Sequence, residues 1–349
     1  MSEWAEQYPN DFFSVLESKC RSLGFVYHNK CPINIGHRRL VESGLLQSLN
    51  DYLLELFSNS CSSMSEAAMV ASAVVCEFPW PDDWVCRVGL VTGCAGSGKS
   101  RVLKEVYGDD SIILVPNKLM LDPYRGKRVF TVWEMLTKGL EFSVRPMRTL
   151  LVDEFTRYHL GEIFFLAAKY GIRNVVLFGD HFQRSQRRNG SILLASIPVL
   201  AHSNVSHRIP KHTQPLLVRF GFDIVCEGKN KGVTELCHLY NEEIPYDYFV
   251  LAFSDKTASM LVEADISCQL VAGCQGREFD NVCLVVCGTD LVGIDQEELF
   301  VGLTRHKKSL RIMADEDALA TLSSGELVKL DGLVSDGNST GPFSDPKAR

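Results

Sequence analysis

Residues 93 to 100 read Gly-Cys-Ala-Gly-Ser-Gly-Lys-Ser and follow the apolar run Val88-Gly89-Leu90-Val91-Thr92. The spacing G-x-x-x-x-G-K-[ST] after such a run requires a strand that stops in a glycine-rich turn and then feeds a helix. That commits the stretch to an α/β layer. Gly93, Gly96 and Gly98, with Ser97 between the last two, let backbone N–H groups curl around a polyphosphate. Lys99 is placed to reach the terminal phosphates, and the Ser100 hydroxyl to take a position on Mg²⁺. A chance glycine turn would lack both the feeder strand and the Lys-Ser pair. The sequence therefore predicts a site for a nucleoside triphosphate, ATP or another, with Mg²⁺.

The same grammar extends along the chain. Short β-branched runs at 111–115, 149–152 and 174–178 are separated by amphipathic stretches, and the alternation resumes at 248–252, 268–271, 282–286 and 310–313. It predicts an α/β protein with two parallel-sheet domains, one over residues 86–200 and one over 201–330. Residues 1–85 carry apolar positions at helical spacing, as in Leu45-Leu46-x-x-Leu49-x-x-x-Leu53-Leu54, and predict a small helical accessory domain. Residues 331–349 lack the apolar content to pack and are expected to be a disordered tail.

Charge narrows the partners. With 36 basic and 43 acidic side chains the net charge is −7, so nucleic-acid binding would need positive charge gathered locally. Residues 1–83 hold 11 Asp and Glu against 5 Lys and Arg, which argues against a basic arm and for a protein-binding or regulatory role. The twelve cysteines form no Cys-x-x-Cys pair and lie in apolar runs, which predicts buried, reduced thiols. No signal peptide or membrane-spanning run is evident, so a cytosolic location without membrane insertion is expected. Tyr107-Gly108-Asp109-Asp110 spells a polymerase metal turn, but it follows the helix opened at Lys99 and reads better as a helix-terminating turn.

Two later segments carry chemistry. The apolar run Leu150-Leu151-Val152 ends in Asp153-Glu154, where a second strand would bring carboxylates to the phosphates: Asp153 for Mg²⁺, Glu154 to polarise the attacking water. The run 175–178 ends in Gly179-Asp180-His181-Phe182-Gln183, which places Gln183 to hydrogen-bond both γ-phosphate and water. This order resembles motifs I, II and III of the superfamily 1 helicases, especially those of plant positive-strand RNA viruses. Ser206-His207-Arg208-Ile209-Pro210 resembles motif IV, 275–282 motif V and Gly302-Leu303-Thr304-Arg305-His306-Lys307-Lys308 motif VI. The resemblance covers residues 86 to about 315.

The resemblance implies two RecA-like domains with NTP between them, Arg208 and Arg305 reaching the γ-phosphate, and Gln275, Gly276 and Glu278 touching nucleotide or coupling it to the nucleic-acid track. It implies a Mg²⁺-dependent NTPase and RNA helicase that binds single-stranded viral RNA. Candidate RNA contacts are Pro116, Asn117 and Lys118, together with Arg184, Arg187 and Arg188, a cluster that reads equally well as a solvated loop. Tyr124 and Trp133 could stack bases or belong to the core. Within the family the chain is similar to the helicase-like movement proteins of the triple gene block, with the benyvirus type nearest. That implies two small viral membrane proteins and coat protein as partners, homo-oligomers, and a host-cytoplasmic location reaching the endoplasmic reticulum and plasmodesmata. A replicative helicase, or an RNA-packaging or silencing-suppressor protein with little unwinding, are the alternatives.

Overall fold

The computed structural model describes residues 11–58, 77–137, 147–180, 191–274 and 276–324. The chain forms two compact units, Met1–Val205 and Ser206–Arg349, a junction slightly beyond the sequence-based break at residue 200.

The first unit is built on one large sheet. Its strands are β1 (Val26–Tyr27), β2 (Ile33–Gly36), β3 (Val85–Gly93), β4 (Ser111–Leu114), β5 (Val129–Phe130), β6 (Thr149–Val152), β7 (Asn174–Gly179) and β8 (Val199–Ser203). They run in the order β1-β8-β3-β7-β6-β4-β5, with β2 added against β3. Strands β3 to β8 pair in parallel, so helices must cover both faces. Side-chain alternation divides the strands accordingly. Val88, Ile112, Leu114, Leu150, Val152, Val175 and Leu177 enter one core, while Val91, Ile113, Leu151, Val176 and Phe178 enter the other.

The helices of this unit are α1 (Phe12–Ser22), α2 (His37–Glu42), α3 (Leu45–Ser58), α4 (Lys99–Val106), α5 (Val132–Thr137), α6 (Leu160–Lys169) and α7 (Ser191–Ser196). α6 is apolar all round, as its Ile163-Phe164-Phe165-Leu166 stretch demands, and is buried from Leu160 to Ala168. It lies in the same core as Leu45, Leu49 and Leu53 of α3. On the opposite face, Phe13, Leu16 and Cys20 of α1 pack with Val102, Leu103 and Val106 of α4. Truncating a fully buried ring such as Phe164 to Ala would cost about 3–5 kcal/mol.

The N-terminal segment therefore differs from the separate helical domain expected. Its described residues lie within the first unit, α1 on one face of the sheet and α2 and α3 on the other, and two short strands extend the sheet. β1 runs antiparallel to β8, and β2 antiparallel to the first half of β3, Ile33 opposite Val88 and Gly36 opposite Val85. Strands of two and four residues leave almost no periodic signal, and their pairing is non-local. That is why the segment reads as helical in sequence.

The second unit contains β9 (Val205–Pro210), β10 (Val225–Gly228), β11 (Thr234–His238), β12 (Phe249–Ala252), β13 (Gln269–Leu270), β14 (Phe279–Val286) and β15 (His306–Ala314). Its helices are α8 (Gln214–Arg219), α9 (Asp255–Glu263), α10 (Gln296–Leu303) and α11 (Glu316–Ser324). β11-β15-β14-β12-β13 make a second all-parallel sheet, and β9 pairs with β10. The chain is thus α/β with two parallel sheets, as expected. The tail 331–349 lies outside the described residues.

Among the described residues the cysteines are all free and mostly buried. Burial pushes the Cys20 and Cys283 thiols up to about 12 and leaves them inert. No described helix is long and apolar enough to cross a membrane. The turn at Tyr107 ends α4, and its Gly108 N–H donates to Ser111 Oγ at 3.1 Å.

Candidate nucleotide site

The expected phosphate-loop residues collect at the carboxyl end of the first sheet, where ligands of parallel α/β sheets bind. β3 ends at Gly93, and α4 starts at Lys99. Gly98 adopts φ 95° at the helix N-cap, left-handed backbone that a side chain would strain. Gly93 is fixed by crowding: an added Cβ would sit 2.4 Å from Ser97 Oγ and 3.0 Å from the Ser203 carbonyl. No side chain caps α4, so its leading N–H groups lack a side-chain acceptor and face the loop with the positive end of the helix dipole.

Lys99 is only 7% exposed, and its ammonium donates to the carbonyls of Gly93 at 2.8 Å and Cys94 at 3.0 Å. The lysine is folded back on its own loop. β6 delivers Asp153, whose N–H is bonded to the Leu114 carbonyl of neighbouring β4. Its carboxyl is buried, accepts from the Glu154 N–H at 3.1 Å and from the Tyr124 hydroxyl, and is close enough to Lys99 to feel its charge. Burial first, then the Glu154 charge, pushes Asp153 up to about 6; Tyr124 and Lys99 oppose the rise. Ser100 is the other polar neighbour of the Tyr124 phenol. Tyr124 is thus a core residue wedged between the two expected metal ligands, a role that its sequence position did not announce.

Glu154 takes φ 52°, an uncommon conformation for a side-chain-bearing residue, as the chain leaves β6 for the 3-10 turn Phe155–Arg157. Glu154 Oε2 and Ser97 Oγ are both buried without a hydrogen-bond partner. Orphaned buried acceptors cost roughly 1–3 kcal/mol each, so such groups in a cleft commonly await a polar ligand. An ammonium, two hydroxyls, a buried carboxyl and unused oxygens beside a bare helix N-terminus form a donor set that fits a triphosphate with Mg²⁺. Among the described residues no cluster of His, Cys, Asp and Glu offers another metal site.

Other expected residues fall as follows. Gly179 ends β7 beside Thr92 of β3, and the neighbouring Asp180 is buried. Gln183, Arg184, Arg187, Arg188 and Gln275 lie outside the described residues. Pro116 and Asn117 are half-buried and Lys118 exposed, in the connection that follows β4. Trp133 on α5 is largely exposed.

In the second unit, Arg208 on β9 pairs with Glu278 and donates to the Thr304 carbonyl at 2.7 Å, leaving its Nε buried without a partner. Arg305 immediately precedes β15 and is 2% exposed. Its guanidinium donates to the carbonyls of Val301 at 3.1 Å and Arg277 at 3.4 Å, and to Thr304 Oγ1 at 3.0 Å. Gly276, at φ 81°, precedes that Arg277 turn. Motif residues 208, 278, 304 and 305 thus form one polar cluster, reached in sequence from three separate segments.

Residues 89–314 match the viral superfamily 1 RNA helicase core domain. A movement protein TGB1 of Beet necrotic yellow vein virus (isolate Japan/S) is 26% identical over 336 residues, spanning 93% of this chain and 87% of that protein. The movement protein TGB1 of Peanut clump virus (isolate 87/TGTA2) is 34% identical over 233 residues, which cover 66% of this chain and only about half, 51%, of that protein. A solved PRRSV helicase structure superposes with a TM-score of 0.49 and 16% identity, covering 67% of this chain and 54% of that one.

Proposed function

The chain belongs to the viral superfamily 1 RNA helicases, and from that membership we propose a Mg²⁺-dependent NTPase that binds and remodels viral RNA as a plant-virus movement protein. The observation that carries the enzymatic part is the set around α4: Lys99, Ser97 and Glu154 with unspent polar capacity beside the buried Asp153.

Each residue has a physical task. Lys99 leaves the Gly93 and Cys94 carbonyls for phosphate oxygens, a stronger charge-assisted bond. Ser97 completes the loop's donors. Asp153 and Ser100 hold Mg²⁺, which when bound neutralises charge on the phosphates. Glu154, directed by its strained backbone, takes the proton of the attacking water. Arg208 and Arg305 stabilise the charge that develops at the γ-phosphate, and Gln183 senses that phosphate. Gln275, Gly276 and Glu278 link nucleotide state to RNA. Among these, Arg208 must give up Glu278 to act.

The movement role is supported by similarity to movement proteins along almost the whole chain. Viral RNA, coat protein, two small viral membrane proteins and other copies of this chain are the partners of that role, acting at the endoplasmic reticulum and plasmodesmata. ATP hydrolysis measured with and without single-stranded RNA tests the enzyme. Co-expression with a movement-deficient virus in leaves tests the biology: spread of infection from single cells is expected. Rescue of RNA accumulation inside single protoplasts, without spread, would assign the chain to replication instead.

A further inference from the structure

The strongest unassigned feature is a groove of about 670 Å³ in the second unit, walled by Lys211 and His212 after β9 and by Lys229, Asn230 and Lys231 after β10. All three lysines are exposed, and no carboxylate pairs with them among the described residues. The one acid at the rim, Glu227, faces His207 at 3.4 Å. In a chain of net charge −7, three unneutralised cations around one concavity run against the average composition.

The groove is also built rather than incidental. Gly228 and Gly232 bracket its lysine turn, and a Cβ on either would meet backbone oxygen at 2.3 Å, of Arg208 and Lys308 respectively. Asn230 Nδ2 donates to the Lys307 carbonyl at 3.0 Å. Opposite, His212 Nδ1 shares a 2.9 Å hydrogen bond with Thr234 Oγ1, while its Nε2 is buried without a partner. The turn is therefore held in one shape before anything binds, which spares the ordering cost of a flexible loop.

We propose that this groove binds the phosphodiester backbone of single-stranded RNA, with Lys211, Lys229 and Lys231 neutralising consecutive phosphates. The inference rests on the RNA-binding reading above and gives it an address outside the recognised motifs. It is sequence-independent contact, because lysines report charge and not base identity. The groove wall also continues inward: Thr234 bonds Thr213, and Thr213 bonds His306 Nε2 at 2.8 Å, the residue after Arg305.

The test is fluorescence-anisotropy binding of a labelled single-stranded RNA to the full chain over a salt series. Loss of two phosphate contacts in Lys229→Ala/Lys231→Ala should make the slope of log affinity against log salt shallower by about 1.4, with affinity lower on the order of tenfold. Hydrolysis without RNA should be unchanged, and Lys229→Arg/Lys231→Arg should keep the wild-type slope. A control pair at exposed positions elsewhere, Lys30→Ala/Lys256→Ala, should leave the slope alone. Wild-type slope in the Lys229/Lys231 alanine variant overturns the groove while leaving RNA binding intact. An equal loss in the control pair reduces the effect to net charge and also overturns it. If the wild-type chain binds no RNA, both this proposal and the reading beneath it fall. Displacement of RNA by polyglutamate as effective as by unlabelled RNA of equal charge would make it a site for acidic protein.

Discussion

Tyr124 donates its hydroxyl to Asp153 Oδ2 at 2.5 Å from a position 1% exposed. The bond favours the ionised carboxylate, opposing the burial that raises Asp153. Tyr124→Phe removes the donor and little volume. The acid limb of hydrolysis, where Asp153 must be ionised to hold metal, should move to higher pH by about one unit. A pH–rate profile superposable on wild type would show that Asp153 does not depend on this phenol.

Asp153 should also cost stability in the metal-free protein. Burial raises its pKa in the fold to about 6, above the ordinary carboxylate range. A carboxyl raised on folding contributes most below its unfolded pKa, and that contribution is lost as pH rises through about 4 to 6. Above pH 7 the carboxylate is ionised against its burial and the neighbouring Glu154 charge, and so is a liability to the fold. Asp153→Asn should therefore raise the melting temperature at pH 7.5 without nucleotide or Mg²⁺ and lose that advantage near pH 4. Equal melting temperatures at both pH values would contradict the origin of the shift.

Lys99→Ala and Glu154→Gln should separate binding from turnover. The first removes an ammonium from the phosphates, so nucleotide affinity and hydrolysis fall together. The second keeps the backbone and the neutral oxygen, so nucleotide affinity persists while kcat drops about 10²–10⁴-fold. Binding of a fluorescent nucleotide alongside steady-state hydrolysis distinguishes them, and retained turnover in both variants would remove the catalytic assignment.

The proposed γ-phosphate role of Arg305 and its buried hydrogen bonds can be divided by substitution. As a γ-phosphate contact its loss should lower kcat on the order of 10³-fold. As a buried fork on the Val301 and Arg277 carbonyls its loss should also lower stability, by about 1–3 kcal/mol. Arg208→Ala should lower kcat with a smaller stability cost, since its partner Glu278 is partly exposed. Urea unfolding paired with kinetics checks the division; an Arg305→Ala variant that is destabilised yet fully active would make the residue purely structural.

Much of this was legible in the sequence for a stated reason. The runs at 111–115, 149–152, 174–178, 282–286 and 310–313 all became strands, because parallel strands buried on both faces read as continuous β-branched runs. The phosphate loop was legible because its chemistry is local. What stayed hidden depends on the partner of a residue rather than on its neighbours. Tyr124 reads as one aromatic among many until β4 and β6 bring it to Asp153. Lys211, Lys229 and Lys231 are scattered in sequence and become a feature only when β9 and β10 pair. Arg305 reads as an outward-reaching group because the family resemblance assigns it to the γ-phosphate, whereas its nearest acceptors are carbonyls of its own unit.

The attachment of β2 to β3 bears on inheritance. Val85 to Val88 hydrogen-bond with the extension, while the rest of the same strand leads into Gly93. A boundary drawn at residue 85 would cut a ladder, not a linker, so extension and glycine-rich loop cannot be exchanged between relatives as independent modules. Recombinants that inherit β2 from one parent and β3 from another must also inherit compatible register. The N-terminal segment is therefore tied to the sheet twice, through the register of the strands it lends and through the packing of α1 against α4.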